Sequence, residues 1–211
     1  MNMRPFVPIF FCALLAGCTG LVAPRGQVAI YTLAPWPAAS SSDAATVHIA
    51  ATLAVELPQA HGLLSGPDLL VSPAPQRLAV YADARWDEPP ARLLRTRMLA
   101  ALRARGFAGA LPAGSGALPH WQLESELHRF DARVHDRHAQ AEVVLEARLL
   151  DSSTRRLMGQ QRFAVAWPAA GTGATQLVAA LDHASDTLAT QVAQWSAHVL
   201  AQSKQVPATG H

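Results

Sequence analysis

Chemistry in this chain has few residues to draw on. Three histidines, His128, His135 and His138, lie close in sequence, and three imidazoles suffice to bind Zn²⁺. Four glutamates, Glu124, Glu126, Glu142 and Glu146, fall on two neighbouring stretches of alternating polarity, where a carboxylate pair could share acid–base work. Neither set has the pattern such chemistry needs. His135 and His138 sit in a turn between two expected strands, and no Asp or Glu stands at a metalloprotease spacing. A glutamate pair would need burial to separate its pKa values. With Arg129 and Arg148 beside them, these glutamates read as a solvated charge ladder. No Gly-x-Ser-x-Gly elbow follows a strand, and "GTGAT" at 171–175 lacks the lysine of a phosphate loop. The expectation is a protein that is not an enzyme, with no catalytic residues, no metal and no bound cofactor.

One reactive group remains, the thiol of Cys18. Arg4 is followed by an apolar run from Phe6 to Ala16. That is well short of the about 20 residues that span a bilayer, and it suits an export signal. At its end stands Leu15-Ala16-Gly17-Cys18. This quartet resembles the bacterial lipobox, in which the thiol receives a diacylglycerol and the chain is cut just before the cysteine. The resemblance makes Cys18 the lipidation site, and Leu15, Ala16 and Gly17 the residues the signal peptidase recognises. An ordinary secretory signal with an incidental cysteine, or a buried N-terminal helix, are the other readings of the stretch. Cleavage would remove Cys12 and leave Cys18 as the sole, acylated cysteine, so no disulfide is expected. One fatty chain, at about 0.8 kcal/mol per buried CH₂, binds a membrane only marginally; two or more hold it. In proteobacterial lipoproteins an Asp after the cysteine favours the inner membrane. Here Thr19 stands there, so the resemblance implies the periplasmic leaflet of the outer membrane.

The elements around these residues form one body. Of 211 residues, half are hydrophobic and 15% charged, enough for a single domain with a sizeable core. The net charge of +2 rests almost wholly on arginine and lacks the density that a nucleic-acid backbone demands. Strands are expected at Gln27–Leu33, Thr46–Leu57, Asp68–Ser72 and Leu78–Trp86. Val47, Ile49, Ala51, Leu53, Val55 and Leu57 share one face of the second; Leu78, Val80, Ala82, Ala84 and Trp86 share one face of the fourth. Trp36, between two prolines, either packs on its own domain or touches a membrane or partner. A helix with an acidic N-cap runs from Pro90 to Arg105, Leu94, Met98, Ala101 and Leu102 forming its stripe and Gly106 its stop. Residues 108–119 read as a loop. An antiparallel meander of three long strands follows, with a bulge near Phe130. A final helix, Thr175–Ser203, carries Leu177, Leu181, Ala184, Leu188, Val192, Trp195 and Val199 as a stripe that covers a sheet. The expected fold is α+β, a mixed, largely antiparallel sheet with two main helices packed on one face. The expected division is signal peptide 1–17, tether 18–26, domain 27–204 and loose tail 205–211.

Within the domain, "LAVYADARWDEPPARLLRTRMLAAL" at 78–102 resembles the ABC-type transport auxiliary lipoproteins, the PqiC-like family. The shared features are Tyr81, Arg85-Trp86, Glu88-Pro89-Pro90 and the helix from Leu93 to Leu102. The upstream "VHIAATLAVELPQAHGLLSGPDLLV" is similar to the family's strand, Leu-Pro turn and short second strand. One departure stands out: Ser72 and Pro73 occupy the place where the family often carries an arginine. The resemblance implies a noncatalytic accessory of an ABC transporter with an MCE-domain partner, moving lipid between inner and outer membranes. A homo-oligomer is implied only by analogy with ring-forming MCE proteins. The motif residues have a structural reading too: Trp86 under the first helix, Arg85 paired with Asp83 or Glu88. A lipoprotein that itself binds a small hydrophobic ligand or envelope lipid is the alternative. A wide apolar cavity would favour that; a filled sheet–helix interface would favour the accessory.

Overall fold

The structure, a computed structural model, describes residues 27–36, 49 and 52–203. The signal, the lipobox with Cys18, the tether, the tail and most of the expected strand before Thr52 lie outside the described residues.

Among the described residues eight strands form one sheet, and two long helices cover it. In chain order they are β1 (Ala29–Tyr31), β2 (Thr52–Val55), β3 (Asp68–Ala74), β4 (Arg77–Trp86), α1 (Pro90–Ala104), β5 (Gly109–Pro112), β6 (Trp121–His135), β7 (His138–Asp151), β8 (Leu157–Ala169) and α2 (Ala174–Ser203). The long pairings, β6–β7, β7–β8 and β3–β4, are antiparallel. The short ones, β1–β4, β2–β5, β2–β6 and β3–β6, are parallel. β6 is the spine. β7 follows one of its edges throughout, while β2 takes Trp121–Leu123 and β3 takes Ala132–Arg133 on the other. At the β7–β8 turn, Asp151 accepts hydrogen bonds from Ser153 and Thr154, which hold its carboxyl at about 2.

The sheet–helix interface is filled. Leu181, Ala184, Leu188 and Val192 of α2 are buried against Ala141, Val143 and Leu145 of β7 and Phe163 and Val165 of β8, and Leu177 packs separately on Ala132 of β6 and Ala139 of β7. A Cβ added at Gly159 would lie 3.2 Å from Val199 and 3.3 Å from Trp195, so that glycine lets α2 approach β8 closely. Leu94, Met98 and Leu102 of α1 are fully buried. Beneath them Trp86 meets Phe130 edge to face, 5.5 Å between centroids. Gly106, at φ 106°, ends α1 as expected.

Four local expectations need correction. α1 has Pro89 at its N-cap with no side-chain cap; Pro90, preset at the first helical position, starts it instead. Residues 109–112 are not loop but β5, paired in parallel with β2; four residues flanked by Pro and Gly carry too little alternation to reveal a strand. In β4, Leu78 and Val80 are exposed, while Tyr81 packs against the core. The cause is a large bulge: Asp68 faces Arg85 but Leu70 faces Val80, so two residues of β3 span five of β4, with Asp83 at φ 57°. Odd insertion flips which residues face in. Leu57 is exposed because β2 ends at Val55. The bulge expected near Phe130 is present in β6, between Leu127 and Arg129.

Candidate functional site

The family-like motif builds the turn from β4 into α1. Trp86 is fully buried, and its backbone N–H donates to the Pro67 carbonyl at 2.7 Å. The next N–H, of Asp87, donates to the Tyr31 carbonyl at 2.8 Å. Pro89 and Pro90 then start the helix, and Glu88 pairs with Arg92 one turn on, at 3.6 Å. Arg85 projects to solvent opposite Asp68; its expected pairing with Asp83 or Glu88 does not occur among the described residues. Tyr81 is half-buried against the core. These residues hold the strand, helix and β1 together, with the side chains of Arg85, Asp87 and Glu88 reaching solvent.

On the helix-covered side lies an ionic cluster that sequence reading missed. Arg97 of α1 is 3% exposed. Its Nη2 donates to Asp182 of α2, and its Nη1 lies 2.8 Å from Asp186 without hydrogen-bond alignment. Asp182 also accepts the Ala34 N–H at 3.1 Å, and the Trp36 ring sits 6.0 Å from the guanidinium carbon. Trp36 thus packs on its own domain, and the segment after β1 is clipped to both helices. Burial pushes the Asp186 carboxyl above the usual carboxylate range; Arg97 opposes the rise and Asp182 adds to it. A signal was present: Asp182 and Asp186, four apart, are the only Asp, Glu, Lys or Arg in α2.

The opposite face of the sheet carries the expected charge ladder. Glu124 meets Arg155 at 2.8 Å and Arg148 at 4.0 Å. Glu126 and Glu146 face each other across β6 and β7, with His128 3.9 Å from each. Glu142 takes Arg129 at 2.7 Å and Arg133 at 2.6 Å. Arg129 also grips buried Asp131 at 2.8 Å, and that bond raises the guanidinium pKa. Ser72 donates to Asp131 at 2.6 Å and lies 3.4 Å from the Arg129 guanidinium. His135 and His138 face each other across the hairpin, apart from His128. Among the described residues no His, Cys, Asp and Glu cluster could hold a metal ion.

Next to this ladder is an open groove of about 790 Å³. The β3–β4 hairpin, through Pro73, Pro75 and Leu78, forms one wall, and His128, Arg129 and Arg133 of β6 form the other. Glu124 and Glu142 of the ladder are met by arginines, while Glu126 and Glu146 share His128.

Residues 31–193 match the family model of the ABC-type transport auxiliary lipoprotein component. The crystal structure of protein XCC0632 from Xanthomonas campestris superposes with a TM-score of 0.74 at 25% identity, covering 84% of this chain and 99% of that one. The crystal structure of an uncharacterised protein superposes with a TM-score of 0.64 at 16% identity, covering 81% and 99%, and shows the shared fold. No curated protein matches the chain. With the matched region running from β1 into α2, the chain belongs to the ABC-type transport auxiliary lipoprotein family, whose members are noncatalytic accessories of transport.

Proposed function

We propose that this protein is a lipid-anchored accessory of an MCE/ABC-type intermembrane lipid transport system. In this reading Cys18 carries the acyl chains after cleavage behind Leu15-Ala16-Gly17. The domain then sits on the periplasmic leaflet of the outer membrane and anchors or receives the far end of the periplasmic assembly. The observation that carries the reading is the family match over residues 31–193, preceded by the lipobox-like quartet. The tether confines the domain to one membrane and raises its effective concentration for a partner there.

The filled sheet–helix interface supports an accessory over a carrier that encloses its own lipid. Affinity capture of the acylated protein from native membranes in gentle detergent tests the proposal. Recovery of an MCE-domain protein or an ABC component is expected. Recovery of the lipoprotein with neither would count against the role.

A further inference from the structure

The outer face of the sheet changes character toward the β1 edge. Over β6 and β7 it is ionic; over β1 and β4 it is apolar. Val28 is 51% exposed, Ile30 67%, Leu78 41% and Val80 48%. Ile30 stands beside Arg85, while its neighbour Tyr31 stands beside inward-facing Trp86, so Ile30 points away from the helices. Val28, two residues earlier, shares that side. Leu78 and Val80 were turned to the same side by the bulge at Asp83. The β4 half of the apolar strip, Leu78 and Val80, is therefore a product of the register shift, and Val28 and Ile30, at β1, lie beside it.

The strip lies where the chain leaves its proposed anchor. Eight residues, Thr19 to Gly26, separate Cys18 from Gln27. At 3.3–3.6 Å per residue they reach about 30 Å at most. Arg25 is the only charged residue among them. Exposed Arg77 and Arg85 stand toward the two ends of β4, and Asp83 is the one acid between them. Among the described residues neither arginine makes a salt bridge.

We propose that the outer face of the β1–β4 edge rests on the anionic phospholipid surface that holds the anchor. Val28, Ile30, Leu78 and Val80 meet the acyl boundary, and Arg85, on the same face beside Ile30, meets headgroup phosphates. This rests on the reading of Cys18 as the lipidated residue. A partner strand added to the edge of β1 left open among the described residues would pair its backbone but leave these side chains uncovered, because they project perpendicular to the sheet. Four apolar residues make a weak contact, and weak is enough, since a short tether supplies millimolar effective concentration.

The test uses the full protein, acylated in its host and reconstituted into vesicles of phosphatidylethanolamine and phosphatidylglycerol. Val80→Cys and Leu157→Cys each receive a nitroxide on their one free thiol. Leu157 is equally exposed, at 50%, but lies on β8 at the opposite edge. Collision with oxygen and with a water-soluble nickel complex reports contact with lipid. A several-fold higher oxygen-to-nickel ratio at residue 80 than at 157 is expected, and it should fall when Ile30→Asp is added. Equal ratios with the protein retained on vesicles overturn the docking and leave the anchor standing. A label at residue 80 shielded from both reagents overturns it too, by placing protein on the strip. A chain that does not stay with the vesicles overturns anchor and docking together.

Discussion

The two faces of the sheet use the same chemistry to different ends. Under the helices, a buried Arg97 meets partly buried Asp182 and Asp186, with side-chain exposures of 4%, 17% and 26%. On the open face, Arg129, Arg133 and Arg155 meet Glu142, Asp131 and Glu124 with arginine side chains a third or more exposed. Charges out of water depend on their partners, because nothing else solvates them. Charges in water lose little when a partner goes. The buried cluster is therefore a clip that fixes α1, α2 and the segment after β1. The ladder is a set of ion pairs whose arginines stay in contact with water.

Arg97→Ala should give the largest effect. It leaves two carboxylates facing each other without a cation, at a cost of about 3–5 kcal/mol. Chemical denaturation measures it, and a loss below 1 kcal/mol would erase the contrast between the faces. Asp131→Ala comes next, since Asp131 is the one ladder carboxylate that is buried and takes both Ser72 and Arg129. Leaving Ser72 unsatisfied should cost about 1–3 kcal/mol, read from the same denaturation curves.

Asp186→Asn sharpens the comparison through pH. The folded carboxyl holds its proton more tightly than the unfolded one. Between the unfolded value near 4 and the raised folded value, the native state binds more protons, so this group's contribution to stability falls as pH rises. The variant lacks that fall. Urea midpoints taken from mildly acidic to neutral pH should move in the variant's favour relative to the parent. A gap that stays constant or widens the other way would contradict burial as the dominant influence on Asp186. Glu124→Gln should be the smallest change, at most about 1 kcal/mol, and thermal melts in low and high salt would show whether even that is screened.

Much of the architecture was legible because its signals are local and periodic. The meander, its bulge and the stripe of α2 all follow from alternation at two or 3.6 residues. What escaped depends on distant partners. β5 exists because β2, more than fifty residues upstream, offers it an edge. Leu78 and Val80 read as core because β4 alternates without a break in sequence, and only its pairing with β3 exposes the extra residues. Arg97 drew no notice in the sequence because its two aspartates lie eighty-five and eighty-nine residues away. For the site, the charge ladder of Glu124, Glu126, Glu142 and Glu146 could be anticipated from the two strands that carry it. The role of Ser72 could not, since Asp131 reaches it only through the parallel contact of β3 with β6.

The account turns on the sulfur of Cys18. Intact-mass and peptide mass spectrometry of the mature protein from its native host should find Cys18 at the N-terminus, carrying a diacylglycerol. A free thiol, or a chain still bearing residues 1–17 or cut at another bond, would contradict it.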